Sequence, residues 1–420
     1  MKKYVKVTAL LGLSAATLFG AGYKIPEQSL NSVALSAAYV ANANGADASY
    51  YNPANMAFSQ SGAELELGLT YIKLPSINYT DSVSPTYSGS SKVENFYVPT
   101  FHYMSPEVKN WRFGLSFVAP GGLSKRWDDA YPKTFAQEFT LKIMELNPTA
   151  SYKVNDKFAI GFGVRGVYTQ GIVKSDGIVA VTAAPSYIDA SRDMTGNSID
   201  YGYNLALSYK PTNDMTLSAT YRSKVNLTVT GTAKLNSFIA AGVGAGTNLG
   251  SYDGSASVAI PLPATLDLAA AYSFDKTTVE LVYERVYWSS YKNLDFNYSG
   301  TLPGSILPSA FDAAIPKNWK DSDTYRIGIT HQYSDKLKLM AGFAIDKSPV
   351  PSNTLGFELP DSDAKLYSLG FEYKVSKATS FGLAYLYDSK KTRTVTNAKV
   401  HGTFKDASAH LVRASIKYRF

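Results

Sequence analysis

The last ten residues of the chain, 411–420, read LVRASIKYRF and carry its clearest structural signal. Apolar and polar or small side chains alternate from Val412 to the terminal Phe420. Successive side chains of a β-strand point to opposite faces, so this pattern predicts a strand with one apolar and one mostly polar face. The same alternation recurs at residues 63–71 and 158–165, which predicts a chain built mainly of such strands.

The predicted strands are long. They cover about 10 to 15 residues, whereas strands of ordinary globular sheets have about 5 or 6. A tilted strand that crosses a bilayer needs about 9 to 11. Fourteen candidate strands lie between Ala63 and Phe420, and an even number closes an up-and-down barrel without free edges. We therefore predict an all-β fold, a 14-stranded antiparallel transmembrane β-barrel over residues 63–420.

The connections between these strands alternate in length. Some are tight polar turns, such as Asn155-Asp156, and the long loops cover roughly residues 76–91, 174–198, 232–255 and 297–321. Short turns at one end and long loops at the other are typical of outer-membrane barrels. Apolar stretches at 178–184 and 238–243 predict a loop groove that collects apolar molecules, with packing of the loops on each other as the alternative.

Composition excludes several classes of function. The 420 residues include no Cys, which excludes disulfide scaffolds, Cys-based zinc sites and iron–sulfur clusters. The formal net charge is +7, and removing three leader lysines leaves 7 − 3 = +4. That charge is too weak and too dispersed for a nucleic-acid partner.

The first 20 residues have the form of a secretory signal. Lys2, Lys3 and Lys6 precede an apolar stretch, and small residues follow it. We predict a signal peptide over residues 1–20, cleaved after Gly20. A retained membrane anchor is the alternative, but the apolar run is short for a helical span of about 20 residues.

The next segment, residues 21–62, is rich in Ala, Ser and Asn and lacks strand alternation. Fourteen strands enclose a lumen that their own side chains do not fill. We therefore predict that residues 21–62 form a hatch inside the barrel. A disordered periplasmic tail is the alternative, although the apolar residues between Val33 and Val40 favour burial.

A series of short motifs occurs in a fixed order along the chain. They are residues 47–54 (DASYYNPA), Val98-Pro99, Ser105-Pro106, Gly121-Gly122-Leu123, 221–225 (YRSKV), 288–291 (WSSY), Lys320-Asp321 and 346–351 (DKSPVP). In this order and barrel context the chain resembles the FadL family, outer-membrane transporters of long-chain fatty acids and other hydrophobic compounds in Gram-negative bacteria. The resemblance covers essentially the whole mature chain.

The resemblance implies a mechanism. An outer loop groove catches the ligand and passes it to a lumen pocket. Movement of the hatch, whose signature is Asn52, Pro53 and Ala54, then opens a path. A kink in the third strand, matched by Gly121 and Gly122, provides a lateral exit into the bilayer. The transport is passive, and no cofactor or metal is implied.

The resemblance also implies substrate-binding residues. Tyr23 matches an aromatic residue at the mature N-terminus that reaches into the pocket, although the family usually has Phe there. Lys320 matches a lysine that pairs with the substrate carboxylate. The second basic partner aligns near Gln170, and Arg165 on the same strand has the lumen-facing parity to replace it.

Long-chain fatty acid is the leading substrate, and neutral hydrocarbons or monoaromatics are the alternative. A general porin is a weaker alternative, and a structural barrel or adhesin is another. An enzyme is not expected, because the sequence has no catalytic motif around its four histidines, His102, His331, His401 and His410. We further predict a monomer in outer-membrane lipid and recognition of Phe420 by the barrel-assembly machinery.

Overall fold

The computed structural model describes residues 22–60, 62–180, 187–242 and 244–420, with side chains described throughout except at 179 and 180. The predicted leader, Ala21, residues 181–184 of the predicted apolar loop stretch, and Val243 lie outside the described residues. Within those ranges, no helix has the length and apolar character that a membrane crossing requires.

The described chain forms one closed antiparallel barrel of 14 strands, as predicted. The strands are β1 (Glu64–Leu74), β2 (Glu94–Met104), β3 (Trp111–Arg126), β4 (Glu138–Lys153), β5 (Phe158–Ala180), β6 (Tyr187–Tyr209), β7 (Met215–Arg222 continued by Val225–Ile239), β8 (Asn248–Leu262 continued by Thr265–Phe274), β9 (Thr277–Val286), β10 (Ser322–Gln332), β11 (Leu337–Asp346), β12 (Ala364–Lys374), β13 (Thr379–Lys390) and β14 (Ser408–Arg419). Each strand pairs with the next, and β14 pairs with β1.

The two faces of the wall follow the alternation in the sequence. On β14, Ile416 is 49% exposed, whereas Arg413 and Lys417 are buried. The exposed side chains of the other strands are likewise mainly apolar and aromatic. This is the division that lipid outside and a polar lumen inside require.

Short turns join the strands at one end, which we call the inner end, and long loops join them at the outer end. In the outer loops, Ala130–Ala136 forms a helix, and the segments Asn78–Asp81, Gly89–Ser90, Arg393–Thr396 and His401–Lys405 form a small separate sheet. The prediction of loops at residues 174–198 and 232–255 is largely wrong. Strands β5 and β6 include most of residues 174–198, and strands β7 and β8 include most of residues 232–255, so these residues extend the wall.

The N-terminal segment, residues 22–60, lies inside the inner half of the barrel. It contains three short helices, α1 (Leu30–Ala34), α2 (Ala48–Tyr51) and α3 (Pro53–Met56). Inward-facing glycines let it approach the wall closely. A Cβ at Gly342 would overlap the backbone of Leu35, and a Cβ at Gly161 would overlap that of Ala54.

Candidate functional site

Charged side chains of the wall hold the N-terminal segment through its backbone. Glu280 on β9 accepts from the amides of Val40 at 2.7 Å and Ala41 at 2.6 Å. Glu66 on β1 accepts from the Leu30 amide at 3.0 Å. Wall arginines donate to carbonyl oxygens of the same segment: Arg326 to Ser36 at 2.9 Å, Arg222 to Tyr50 at 3.2 Å and Arg112 to Ser59 at 2.9 Å. The wall therefore binds both backbone amides and backbone carbonyl groups of the segment.

The predicted hatch motif lies at the centre of this packing. Asn52 is fully buried, and its Nδ2 donates to the Val40 carbonyl at 2.9 Å and to Ser208 Oγ at 2.9 Å. Pro53 occupies the first position of α3, where its missing amide hydrogen costs no helical hydrogen bond. Ala54 packs against β5.

Tyr23 stands where the charged inner half meets an apolar outer half. Its ring centroid lies 4.6 Å from that of Trp288 and 5.7 Å from that of Trp319. Its hydroxyl donates to the carbonyl of Pro261 at 2.5 Å. The hydroxyl is thus satisfied by the wall, and the ring is left to form part of the apolar lining.

Strand β3 separates from β2 halfway along its length. Their ladder runs from Met104 opposite Gly114 to Phe101 opposite Phe117 and goes no further. Beyond it, β3 turns to the N-terminal segment. Ile25 N donates to Pro120 O at 2.9 Å, and Gly122 N donates to Tyr23 O at 2.8 Å.

Gly121 makes this approach possible, because a Cβ there would stand 2.9 Å from the carbonyl oxygen of Tyr23. The register of β3 with β4 also shifts between Val118 and Gly121. The paired glycines picked out in the sequence therefore lie at an irregular bend of the wall.

Three neighbouring cavities share Phe139 in their lining. The outermost, about 210 Å³, lies under the loops. The second lies beside Tyr23, Tyr291 and Trp319. The third, the wall cavity, lies against β5, β6 and β7. They lie next to one another between the loops and the middle of the barrel.

The floor of the wall cavity is a row of cross-strand glycines, Gly171 opposite Gly196 and Gly196 opposite Gly231. Its other lining residues include Met194 and Val229. Because these three positions on adjacent strands carry no side chain, the wall forms an apolar groove there.

The outermost cavity combines aromatic rings with charge. It is lined by Phe135, Phe139 and Phe311, and by the charged residues Arg192, Lys317, Lys399 and Glu358. Three cations against one carboxylate leave two positive charges in excess.

Only part of this charge is paired within the described residues. Lys317 pairs with Glu358. Burial opposes ionisation of Glu358, yet the Lys317 ammonium outweighs it and holds the pKa of that carboxyl below its usual value. Arg192 stacks on Phe296 and Phe311 at 5.3 and 5.6 Å, and its buried Nε finds no partner in the described structure. The cavity can therefore accept an anionic group.

The basic residues singled out in the sequence have different surroundings. Lys320 is exposed beside the loop that carries Pro349, and it does not line these cavities. Arg165 faces the lumen as predicted, but it is 2% exposed and bonded to Glu145 at 2.8 Å and to the Ser223 carbonyl at 2.6 Å. Gln170 lies on β5 opposite Lys142.

A closed barrel with an exposed apolar band, an internal N-terminal segment and a chain of apolar cavities defines an outer-membrane transport protein for hydrophobic compounds. The sequence agrees. Residues 12–420 match the family described as outer membrane protein transport protein (OMPP1/FadL/TodX), and the chain belongs to that family. Its members are transport channels, so the protein is a transporter and not an enzyme.

Among curated relatives, the long-chain fatty acid transport protein of Escherichia coli K12 is 25% identical over 321 residues, covering 68% of this chain and 69% of the relative. Outer membrane protein P1 of Haemophilus influenzae is 23% identical over 397 residues, covering 83% and 82%.

Solved structures give the same fold. A Pseudomonas aeruginosa FadL homologue superposes with a TM-score of 0.80 at 22% identity, covering 95% of this chain and 100% of that one. The Ralstonia pickettii toluene transporter TbuX gives 0.70 at 20% identity, covering 93% and 98%.

Proposed function

We propose that this transporter takes up long-chain fatty acids by facilitated diffusion. The observation that carries the proposal is the excess of positive charge in the outermost cavity, where Arg192, Lys317 and Lys399 face one carboxylate among aromatic rings. The buried Nε of Arg192 has no partner in the described structure, and a ligand carboxylate would supply one. The acyl chain would then follow an apolar path past Phe139, gaining about 0.8 kcal/mol per buried methylene.

Neutral hydrocarbons or monoaromatics are the second candidate. The wall cavity favours them, because its lining is apolar and holds no charged side chain within the described residues. The relatives leave both substrates open. The E. coli relative is named for long-chain fatty acids and TbuX for toluene.

The remaining steps of the proposal concern release. Movement of Asn52, Pro53 and Ala54 would shift Tyr23 away from the wall, and the bend at Gly121 and Gly122 would let the ligand leave into the bilayer. The loss of β2–β3 pairing at that bend supports such an exit.

Two basic residues keep their predicted roles as proposals. Lys320, exposed on the outer surface, would meet the carboxylate first. Arg165 would bind it only by displacing Glu145. We also propose that the protein works as a monomer in outer-membrane lipid and that the barrel-assembly machinery recognises Phe420.

The test is uptake of radiolabelled oleate by cells that lack their own fatty acid transporter and express this protein. Replacing Arg192 and Lys399 together by Gln should weaken apparent oleate affinity at least tenfold, about 1.4 kcal/mol. Toluene transport should be unchanged. Lys320→Ala, tested alone, measures the contribution of the outer surface.

A matched control is Lys234→Gln, which removes an exposed lysine that pairs with Asp253. Oleate uptake that is absent from the parent protein, while toluene enters and the barrel assembles normally, would rule out fatty acids as the substrate.

A further inference from the structure

The barrel wall has a second break, between β6 and β7. From the inner end, their ladder runs as far as Asn204 opposite Arg222. It resumes only at Asn197 opposite Thr230. Between these points residues 198–203 of β6 pair with β5, and residues 225–229 of β7 pair with β8. The two strands do not pair with each other in the normal ladder over this stretch, which we call the β6–β7 gap.

Few hydrogen bonds cross the gap in the described structure, and side chains supply most of them. The Ser223 amide donates to the Tyr203 carbonyl at 2.9 Å, and the Tyr203 amide donates to Ser223 Oγ at 2.9 Å. Further out, the Thr228 amide donates to the Asp200 carboxylate at 3.2 Å. Gly202 lets Val225 lie close, because a Cβ there would stand 2.7 Å from Val225 Cγ2.

The gap lies at membrane depth. It starts six residues from Tyr209, the inner end of β6, and a strand crosses the bilayer in about 9 to 11 residues. The outward side chains beside it are exposed, Ile199 by 66% and Tyr201 by 74%. Lipid cannot satisfy unpaired backbone groups, so a break at this depth is costly to maintain and indicates a role.

The gap also lies between two contrasting layers of the lumen. On its outer side is the wall cavity, which reaches Val229 and Gly196. On its inner side, Glu145 pairs with Arg165 and Arg222. Arg165 also donates to the Ser223 carbonyl, which the kink in β7 leaves without a ladder partner.

We propose that the β6–β7 gap is a second lateral opening, through which hydrophobic compounds pass between the wall cavity and the bilayer. On the inner side of the wall cavity, an apolar ligand meets a layer of buried ion pairs. Beside the cavity, it meets a wall without a continuous ladder. The sideways path avoids dehydrating those charges. Side-chain bonds from Ser223 and Asp200 close the opening at rest, and they can break without disrupting a ladder.

This opening differs from the bend at Gly121 in how it is closed. At the bend, the N-terminal segment supplies backbone partners to β3. At the β6–β7 gap, the wall itself supplies them, through the Ser223 amide and the side chains of Ser223 and Asp200. Passage through the gap therefore requires no movement of the N-terminal segment. The inference applies to any hydrophobic substrate and does not depend on the fatty acid proposal.

The test uses the natural absence of Cys. In Tyr201→Cys/Asn226→Cys, the two thiols flank the gap on its lipid-facing side, and a short bifunctional thiosulfonate would join them reversibly. The matched control, Leu205→Cys/Tyr221→Cys, joins two residues that are opposite each other in the intact ladder of the same strands. Uptake of toluene and oleate is measured in whole cells before cross-linking, after it, and after reduction.

We expect cross-linking across the gap to slow uptake at least threefold and reduction to restore it, with the control pair unaffected. Equal uptake before and after complete cross-linking would overturn the inference. So would an equal loss in the control pair. Uptake before cross-linking reports separately on the proposed substrates.

A second measurement requires no substitution. A diazirine-bearing fatty acid and a diazirine-bearing alkylbenzene are photolysed with the unmodified protein in outer-membrane vesicles, and the labelled peptides are sequenced. Labels on residues 198–203 or 225–229 would support the opening. Labels confined to β2, β3 and the loops would overturn it.

Discussion

The outer and inner halves of the lumen differ in what fills them. In the outer half, aromatic and aliphatic side chains surround cavities, and Arg192 contacts rings instead of a carboxylate. In the inner half, the N-terminal segment fills the space, and many of the buried charges form ion pairs. Glu372, for example, lies 2.9 Å from Lys417 and 2.7 Å from Lys338. A hydrophobic ligand can be held in the first region but finds no apolar space in the second.

If transport is passive, as proposed, this difference would supply the selectivity of the barrel. The charged inner half would then block leakage along the barrel axis, because an apolar molecule cannot replace the interactions of those charges. The outer half offers a path that ends beside breaks in the wall. Changes in the inner half should therefore affect stability and sealing, and changes in the outer half should affect ligand binding.

The largest effect is expected from breaking the buried ion cluster of the inner half. Arg413 is fully buried, and it bonds Thr70 at 2.9 Å, Thr100 at 2.6 Å and Glu66 at 3.4 Å. Arg413→Met leaves Glu66 buried with less compensation, which should cost about 3–5 kcal/mol of stability. The loss of stability is measured by urea unfolding in detergent, monitored by the gel shift of the folded barrel.

The control for Arg413→Met is Lys174→Met, which removes an exposed partner of Asp193 on the outer hairpin. An exposed pair contributes about 0–1 kcal/mol. Similar unfolding midpoints for the two variants would mean that the inner cluster does not stabilise the barrel.

A smaller effect is expected at the attachment of the N-terminal segment. Glu280→Ala removes the acceptor for the Val40 and Ala41 amides. The effect is local, because it weakens the attachment of the segment and removes no ladder bond of the wall. The segment should loosen, and single-channel conductance in planar bilayers should rise. Glu280→Gln retains an acceptor and should leak less. Equal, low conductance in both variants would show that Glu280 does not hold the seal.

The fold could be predicted from the sequence because lipid imposes its pattern locally. Residues 411–420 alternate since one face meets lipid and the other meets the lumen, and the structure confirms this. The outer parts of β5 and β6 were read as loop because residues 174–198 include many polar residues. Their strand structure depends on cross-strand partners, which no local pattern reveals.

The candidate site could be predicted only where one short motif contains it. Gly121-Gly122 and Asn52-Pro53-Ala54 are contiguous. The first pair lies at the bend of β3 and the triplet lies in the N-terminal segment, and their roles in gating stay predictions. The cationic cavity combines Arg192 from β6 with Lys317 and Lys399 from two separate loops. Lys320 was chosen because it matches a family lysine, and its role stays a prediction. It lies three residues from Lys317, which lines the cavity, and sequence does not show which of two nearby lysines points inward.

The smallest expected effect concerns the glycine floor of the wall cavity. Two substitutions there separate the effect of cavity shape on transport from the effect on the stability of the barrel. A Cβ at Gly171 would meet only Val229 Cγ1, at 3.6 Å, whereas a Cβ at Gly231 would overlap the Thr195 carbonyl. Gly171→Leu should therefore fold normally and occupy part of the cavity, raising the apparent KM for toluene about threefold, roughly 0.7 kcal/mol. Gly231→Ala should instead reduce the yield of folded barrel. If Gly171→Leu leaves toluene uptake unchanged while the protein is folded, hydrophobic substrates do not pass through the wall cavity, and the selectivity of the outer half depends on the other two cavities.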